Sequence, residues 1–198
     1  MGDPAGAGRV AGLVLAAGGG TRFGAGPKLL ADLGGRPLLE WAVRAQCAVP
    51  ELEHIVVVLG AHAEAILAAV RFGRADVVVC EQWESGQAAS LRRGLAAVSG
   101  AGKVIVTLGD APLITPAVIR RFLDEPPLTR ATYGGRPGHP VVLGRAQMEA
   151  LTSLSGDRGA RDLLGGGPVI EVGHLCSGRD VDTPEDLEEV RGEARAVI

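Results

Sequence analysis

The sequence predicts a three-layer α/β domain, with helices on both faces of a mostly parallel sheet. Continuous apolar runs near residues 10–16, 54–60 and 103–108 are typical of strands covered on both faces. These runs alternate with stretches of helical periodicity through the first two thirds of the chain, which favours strand–helix–strand units. With 198 residues and no clear linker or repeat, the chain is expected to form one domain, residues 1–198.

The first half of the chain predicts three strands and three helices. Residues 1–8 are small and polar and are expected to be disordered. The strand at 10–16 runs into a glycine-rich loop, and Pro37 opens a helix at 37–49 with one apolar face. Strands are expected at 54–60 and 76–80, with an alanine-rich helix at 63–72 between them. Ser85 is expected to cap a helix at 87–98.

The second half continues with a buried strand at 103–108. Thr115 and Pro116 are the cap and first residue of a helix to 123, which two prolines then end. Strands at 129–133 and 140–143 are expected around a loop at 134–139. Helices are predicted at 145–154 and 158–164, followed by a strand at 169–172 and a terminal helix opened by Thr183 and Pro184.

Composition and charge narrow the possible partners. Hydrophobic residues make up 46% and aromatic residues 3%, which predicts a core of Ala, Val, Leu and Ile. A net charge of -3 argues against a nucleic-acid partner, and no apolar run approaches the ~20 residues that cross a membrane. The three cysteines form no Cys-x-x-Cys pair, so we expect reduced thiols and a cytoplasmic protein.

The rest of the chain is organised around residues 13–28, which read LVLAAGGGTRFGAGPK. A strand that ends in glycines exposes backbone N–H groups, and Arg22 and Lys28 flank them, so the loop suggests a phosphate-binding site. It is not a Walker loop, because Pro27 separates Gly26 from the lysine. The glycine spacing is also one residue too wide for a dinucleotide fingerprint. A flexible Gly/Ala turn remains the structural alternative.

Two acidic positions are candidates for holding Mg²⁺. Asp110 follows the buried strand at 103–108, so it should share a cleft with the glycine loop at the carboxyl ends of the strands. Asp180 and Asp182 share one face if their segment is extended. A turn role for Asp110, and a helix-capping role for Asp182 or Thr183, are the alternatives.

Three further segments offer polar groups for a ligand. Gln87 and Ser90 at a helix start are able to bond a base or a ribose. His139 stands in a constrained Gly/Pro loop, and Arg158 and Arg161 stand on a turn, so both segments are candidate anion sites. An ordinary loop histidine and solvent-facing arginines are the alternatives.

Several motifs resemble those of a known family. The segment LAAGGGTRFG followed by PK resembles the opening motif of the MobA-like nucleotidyltransferases. The later segments QAASLRRGL, LGDAPL, GRPGHPV, GDRGARDLL and DVDTPEDL look like the branch of molybdenum cofactor cytidylyltransferases. The resemblance spans about residues 13–187 and implies a Rossmann-like sheet of the nucleotide-diphospho-sugar transferase type.

The resemblance implies an enzyme that transfers a cytidylyl group from CTP to the phosphate of molybdopterin with Mg²⁺ as cofactor and pyrophosphate as leaving group. Arg22, Lys28 and Asp110 would be catalytic, and Asp110 and Asp182 would hold the metal. The nucleotide-binding residues would be Leu15, Ala16, Ala17, Gly18, Gly19, Gly20, Arg22, Lys28, Gln87, Ser90 and Asp110.

His139, Arg158 and Arg161 would face the acceptor, and a transient contact with a molybdoenzyme or its chaperone is also implied. Three alternatives stay open. They are the same chemistry with GTP, the same chemistry with another phosphorylated acceptor, and a nucleotide-binding accessory protein without catalysis.

Overall fold

The computed structural model describes residues 8–24, 26–153 and 166–197. Its strands are β1 (Val10–Ala16), β2 (Asp32–Leu33), β3 (Arg36–Pro37), β4 (Leu52–Leu59), β5 (Asp76–Val79), β6 (Lys103–Leu108), β7 (Arg130–Tyr133), β8 (Arg136–Gly144) and β9 (Val169–Glu171). Seven of these form one sheet in the order β5-β4-β1-β6-β8-β7-β9, while β2 and β3 form a small antiparallel hairpin. Within the large sheet β8 pairs antiparallel with both neighbours, and the other pairs are parallel. The predicted mostly parallel sheet is confirmed.

Helices cover both faces of the sheet. They are α1 (Leu38–Cys47), α2 (Ala63–Ala69), α3 (Gln87–Ala97), α4 (Pro116–Arg120), α5 (Arg145–Ser153) and α6 (Pro184–Val197). Single 3-10 turns lie at Thr21–Phe23, Lys28–Leu30 and Trp83–Ser85. None of the helices in the described ranges combines the length and apolar character that crossing a bilayer requires.

Strand β1 shows why the sheet needs two covering layers. Leu13 and Leu15 join the cluster formed with α3 and α5, whereas Val14 and Ala16 join the cluster formed with α1 and α2. Successive side chains of a strand point to opposite faces, so an entirely apolar strand must be buried on both sides. The predicted three-layer arrangement follows from this pattern.

Helix α3 packs unusually close to the centre of the sheet. A Cβ atom at Gly94 would lie 2.5 Å from Leu13 Cδ1 and 2.7 Å from Val58 Cγ2, so any larger residue would push the helix away. The absence of a side chain at this position sets the distance between α3 and the strands beneath it. That distance also sets where the first turn of α3 lies above the end of β1.

The last helix forms a separate small core at the edge of the domain. Leu187 and Val190 of α6 pack with Val181, with Leu33 of the β2–β3 hairpin and with Leu38 at the start of α1. This cluster brings a segment from near the end of the chain next to the loop that follows β1. The residues just before α6 are therefore delivered to the same edge of the sheet as the glycine loop.

Most predicted elements are present, and four features were wrong besides shifts of a few residues at the ends of elements. Pro37 lies in β3 and precedes α1 instead of forming its first turn. Ser85 does not cap α3, because Gly86 takes the cap position and the Ser85 hydroxyl donates to Gln82 O at 2.7 Å. The hairpin at residues 32–37 was missed.

The fourth error concerns the segment 134–139, which is not a loop, because β8 already begins at Arg136 and the turn is only Gly134 and Gly135. Glycines with φ of 58° and 77° make so tight a turn possible. The predicted helix cap at Thr115 is confirmed, since its side chain accepts from Val118 N, although α4 ends at Arg120. The predicted helix at 158–164 and nearly all of the segment 1–8 lie outside the described residues.

Candidate active site

The candidate site lies where the order of strands changes direction. From β1 the chain goes to β4 and β5 on one side, and it then returns to place β6 on the other side. In an open parallel sheet such a switch point leaves a crevice at the carboxyl ends of the two strands. A cavity of about 400 Å³ occupies this position. It is lined by Leu15, Ala17, Gly18, Gly19, Gly20, Thr21, Arg22, Lys28, Trp83, Glu84, Gly86, Gln87, Ser90, Leu108, Asp110 and Asp182.

Backbone hydrogen bonds hold the ends of three strands together beneath the cavity. Gly109 N donates to Leu15 O at 2.8 Å, and Ala61 N donates to Ala17 O at 3.0 Å. The glycine loop therefore starts from a rigid platform. Gly20 adopts a φ of 59°, which turns the loop back towards Lys28. The loop is held in place at its base while its middle forms part of the cavity wall.

Trp83 supports the loop from the side of α3. A Cβ atom at Gly19 would lie 3.2 Å from Trp83 Cζ3, and one at Gly60 would lie 2.6 Å from Trp83 Cβ and 2.6 Å from Ala17 O. The indole is partly buried against the core beneath α3. Gly60 must lack a side chain for this contact, so the end of β4, the tryptophan and the glycine loop form one packed unit.

The charged centre of the cavity joins residues from three parts of the chain. Lys28 Nζ lies 2.6 Å from Asp110 Oδ2 and 3.1 Å from Asp182 Oδ1. Arg22 extends one nitrogen to Asp182 Oδ2 at 2.9 Å. The Lys28 side chain is only 9% exposed, whereas that of Arg22 is 72% exposed. Burial alone would lower the pKa of Lys28, but the two carboxylates outweigh it and the pKa is raised, so the ammonium stays charged.

Asp182 reaches the site through backbone contacts. Val181 N donates to Asp110 O at 2.9 Å, which fixes the segment before α6 against the end of β6. Asp186 then accepts from Asp182 N at 3.0 Å and from Thr183 N at 2.8 Å, while Asp186 N donates to the Thr183 hydroxyl at 3.2 Å. This reciprocal cap confirms the capping role considered for Thr183 and leaves the Asp182 carboxylate facing Lys28.

Asp180 lies close to the same carboxylates. The residue as a whole is exposed, but loss of water around its carboxyl group, together with the charges of Asp110 and Asp182, raises its pKa to about 6. The ion pairs of Lys28 include Asp182. Asp182 is therefore better placed than Asp180 to act together with Asp110.

The opposite wall of the cavity comes from the turn before α3 and the first turn of that helix. Glu84, Gln87 and Ser90 all line it; Ser90 is 4% exposed, and Gln87 is exposed. These groups offer a carboxylate, an amide and a hydroxyl, which together can accept and donate hydrogen bonds. They face a space bordered by the Trp83 indole.

Not all of the predicted site residues meet at this cavity. Ala16 points into the core beneath α1, next to the position where a Cβ atom of Gly109 would lie. His139 is in β8, does not line the cavity, and accepts from the Tyr133 hydroxyl through its carbonyl oxygen at 2.6 Å. Burial and then the charge of Arg130 lower the pKa of His139 to about 4. Arg158 and Arg161 lie outside the described residues.

Sequence reasoning missed several residues of the cavity, namely Thr21, Trp83, Glu84, Gly86 and Leu108. A signal for Trp83 was present, because large aromatic residues are rare in this chain and this one follows a predicted strand. Its function as a wall, however, depends on the contact with Gly19 and Gly60, which are distant in sequence.

The carboxylates of Asp110 and Asp182 suit a hard divalent cation. Both converge on a single ammonium nitrogen at the edge of the cavity. In the described residues they belong to no group of three or more acidic, histidine or cysteine side chains able to hold a metal. This donor set suits Mg²⁺, which commonly takes one or two carboxylates and completes its shell with phosphates and water.

Comparison with known proteins places this geometry in a family. The model of the MobA-like NTP transferase domain matches residues 12–172, which include the loop, Lys28 and Asp110. The chain belongs to this family. The seven-stranded sheet with helices on both faces is the fold of the nucleotide-diphospho-sugar transferases, as expected.

Relatives of this MobA-like chain have varied names. Nicotine blue oxidoreductase from Paenarthrobacter nicotinovorans is 35% identical over 193 residues, covering 90% of this chain and 94% of that protein. The bifunctional protein GlmU from Acidithiobacillus ferrooxidans is 37% identical over 152 residues, covering 76% of this chain. The chain corresponds to only 33% of that GlmU.

A solved structure of similar size is Rv0371c from Mycobacterium tuberculosis H37Rv. It has a TM-score of 0.80 and 33% identity, and the match covers 94% of this chain and 99% of that one. A second structure of Rv0371c from the same strain is described as a complex with manganese and has a TM-score of 0.76, with 31% identity over 93% of this chain and 98% of that one. Both structures match this chain over nearly its whole length.

Proposed function

We propose that this MobA-like protein is a nucleotidyltransferase that transfers the cytidylyl group of CTP to the terminal phosphate of molybdopterin. The products are the cytosine dinucleotide form of the cofactor and pyrophosphate. We place the reaction in the cytoplasm, where the free thiols of Cys47, Cys80 and Cys176 would stay reduced. In this proposal one domain binds both substrates and passes its product to a molybdoenzyme or its chaperone.

One observation carries the proposal. A glycine loop and two cations, Arg22 and Lys28, border the same cavity as two convergent carboxylates, Asp110 and Asp182. Phosphates are bound by backbone N–H groups and cations, whereas carboxylates repel them unless a metal lies between. A ligand that uses both halves of this site is a nucleoside triphosphate with a divalent cation.

The reaction requires positioning more than proton transfer. An oxygen of the acceptor phosphate attacks the α-phosphorus, and the bond from that phosphorus to the bridging oxygen breaks as pyrophosphate leaves. The glycine N–H groups and Arg22 would hold the β- and γ-phosphates, and Lys28 would stabilise charge at the α-phosphate. Mg²⁺ held by Asp110 and Asp182 would supply charge neutralisation on the triphosphate; a manganese complex of the related Rv0371c supports a divalent cation.

The polar wall next to α3 is where we place the base and ribose. Gln87 and Ser90 would form hydrogen bonds with the base and the ribose, and Trp83 offers a flat apolar surface to the ring of the base. Cytosine is proposed from the resemblance of the later motifs to cytidylyltransferases. GTP with the same acceptor, and CTP with another phosphorylated acceptor, remain alternatives with the same mechanism. His139, which lies in β8 outside the cavity, and Arg158 and Arg161 are proposed to bind the acceptor.

A second candidate is an oxidoreductase. The relative named nicotine blue oxidoreductase matches 90% of this chain, more than GlmU does, so a full-length relative has a redox name. In that case the cavity would bind a redox cofactor in place of the nucleoside triphosphate, although its glycine spacing does not match the dinucleotide fingerprint.

The first experiment separates these candidates. Purified protein is incubated with Mg²⁺ and molybdopterin, and pyrophosphate is measured with CTP, GTP, ATP or UTP in separate reactions. In parallel, NADH or NADPH oxidation is followed with nicotine blue as acceptor. Release of pyrophosphate with CTP alone supports the proposal, and release with GTP alone indicates that guanine is the preferred base. Oxidation of NADH or NADPH by nicotine blue, without release of pyrophosphate from any nucleotide, supports the oxidoreductase.

Nucleotide binding can be measured independently of turnover. Trp83 lines the cavity, whereas Trp41 donates its indole N–H to Leu33 O at 2.8 Å in the separate core under α6. A Trp41→Phe variant leaves Trp83 as the single tryptophan, so the tryptophan emission should change when CTP and Mg²⁺ bind. Binding without pyrophosphate release would indicate a wrong acceptor or an accessory protein, and a screen of phosphorylated acceptors would distinguish the two.

Loss of a single charged group tests the assigned chemistry. Asp110→Ala and Lys28→Ala should each lower turnover by ~100-fold or more, because each removes preorganised charge at the reacting phosphates. Asp76→Ala is the matched control, since Asp76 pairs with His54 on the surface of the far edge of the sheet. Wild-type turnover in a folded Asp110→Ala protein would contradict the metal assignment.

A further inference from the structure

Lys28 occupies an unusual position for a residue expected to bind phosphate. Its ammonium is bonded to Asp110 at 2.6 Å and to Asp182 at 3.1 Å, and the side chain is 9% exposed. The same two carboxylates are the proposed ligands of the divalent cation. The lysine and the metal are therefore directed at the same oxygens.

We propose that Lys28 takes the place of the divalent cation in the free protein and gives it up when the nucleotide arrives. This inference rests on the proposed function and deepens it by describing how the site admits its metal. In the free state the ammonium neutralises Asp110 and Asp182. In the loaded state the triphosphate becomes the partner of the ammonium, and the carboxylates become free to hold the cation.

Electrostatics supports exclusive occupancy. An ammonium and a divalent cation bonded to the same two oxygens would lie within a few ångströms of one another, where like charges repel strongly in a poorly hydrated site. Moving Lys28 away without a new partner would leave a charged amine in a partly buried position, which is costly. A phosphate chain bound to the glycine loop supplies that partner, because Lys28 Cβ already lies next to Gly20.

The consequence is that metal and nucleotide bind cooperatively. Metal alone must break two ion pairs of Lys28, and nucleotide alone leaves the carboxylates facing phosphate. When both bind, Lys28 pairs with the triphosphate and the carboxylates hold the metal. Metal and nucleotide therefore each raise the affinity for the other by the same factor. The free protein should therefore bind a divalent cation only weakly even though its two carboxylates already converge.

The test measures Mn²⁺ binding to the free protein by electron paramagnetic resonance, without nucleotide. Removing the resident cation in Lys28→Met should tighten Mn²⁺ binding by ~30-fold, within the usual range of coupling between sites. Arg22→Met is the charge control, because Arg22 is exposed and, within the described ranges, forms an ion pair with Asp182 alone, so its Mn²⁺ affinity should change by about 5-fold or less. Lys103→Met is the folding control, since this lysine donates to Leu123 O and Glu125 O at the other end of β6.

Mn²⁺ affinity in Lys28→Met that is equal to or weaker than that of the folded wild type would overturn the inference. A tightening no larger than in Arg22→Met would also overturn it, because the effect would then be net charge alone. Asp110→Asn should abolish the tight binding in the Lys28→Met background. If the wild type catalyses the reaction but Lys28→Met does not bind Mn²⁺ more tightly, this inference alone is wrong. If Lys28→Met binds Mn²⁺ more tightly but the wild type does not catalyse the reaction, the proposed function alone is wrong.

A measurement on the wild type guards against a variant that does not fold. The chain contains only two lysines, so ¹⁵N-lysine labelling gives two Nζ signals, of Lys28 and Lys103. We expect the chemical shift of Lys28 Nζ to change when Mg²⁺ and CTP are added together and to remain the same when Mg²⁺ is added alone. A chemical shift that is unchanged in both cases, or that changes with Mg²⁺ alone, contradicts the proposed exchange of partners.

Discussion

At the scale of single residues, the charged side chains of the cleft depend on distant partners. Lys28 is 82 residues from Asp110 and 154 residues from Asp182, yet it bonds to both. Each of these groups is charged and at least partly removed from water, so each needs a partner of opposite sign. The arrangement is consequently a unit, and changing one member alters the environment of the other two.

His139 differs from these residues because it is kept neutral. Burial and the nearby positive charge of Arg130 lower its pKa to about 4 in the folded protein, whereas the unfolded chain has an ordinary value of 6.5. Between these two pH values the unfolded chain binds more protons than the folded protein. The stabilisation associated with neutral His139 is complete above pH 6.5 and is lost as the pH falls to about 4.

This difference gives a prediction for His139→Gln. As the pH falls from 6.5 to 4, protonation of His139 should lower the free energy of unfolding of the wild type by ~2 kcal/mol. The variant should lack this contribution to the pH dependence of its stability. Asp180, with its pKa raised to about 6, acts in the opposite direction over part of this range, so the two proteins must be compared by subtraction. Urea titrations at several pH values measure the free energy of unfolding of both proteins. The same dependence of this free energy on pH in wild type and variant would disprove the prediction.

At the scale of elements, two helices begin with the same kind of cap but differ in function. Thr115 caps α4 by accepting from Val118 N at 3.4 Å, and Thr183 caps α6 by accepting from Asp186 N at 3.2 Å. Only the cap of α6 adjoins a residue of the cleft, since Asp182 directly precedes it. The start of α6 therefore has both a stabilising and a positioning role.

A pair of substitutions separates those roles. Thr183→Ala and Thr115→Ala should each lower the free energy of unfolding by ~1 kcal/mol, the usual effect of losing a side-chain cap. Only Thr183→Ala should also lower turnover and Mn²⁺ affinity, because the segment that presents Asp182 loses an anchor. Chemical denaturation and the pyrophosphate assay measure the two effects. Equal turnover in both variants would show that the cap does not position Asp182.

At the scale of the whole molecule, the cleft joins both sides of the switch point. The end of β1, the end of β6, the start of α3 and the segment before α6 all contribute lining residues. A ligand in this cavity therefore contacts elements from the start, middle and end of the chain. Its binding should stabilise the fold as a whole and not a single loop.

Ligand-linked stability tests this expectation. At a concentration 100 times its dissociation constant, a ligand adds ~2.7 kcal/mol to the free energy of unfolding. For a chain of this size that corresponds to a rise in Tm of about 5–10 °C. We expect this rise with CTP and Mg²⁺ together and a clearly smaller one with either alone, measured by differential scanning calorimetry. Equal rises with CTP alone and with the pair would contradict the cooperative binding.

Much of the fold was predictable because its signals are local. Strand β1 is apolar at every position facing either layer, so its burial on both faces could be read from the sequence. The cap at Thr115 could also be predicted, since a cap and its partner are three residues apart. The extent of β8 could not be predicted, because antiparallel pairing with β7, which sets Arg136 opposite Tyr133 and Pro137 opposite Thr132, makes this segment a strand despite its Gly- and Pro-rich composition.

The sequence by itself determined the alternation of layers, the glycine loop after β1 and the carboxylate after β6, because adjacency along the chain carries that information. The tertiary structure decided that Asp182 completes the charged centre, that Trp83 supports the loop, and that Ala16 and His139 do not line the cavity. These outcomes depend on which distant segments pack together, and no local pattern of residues specifies that packing.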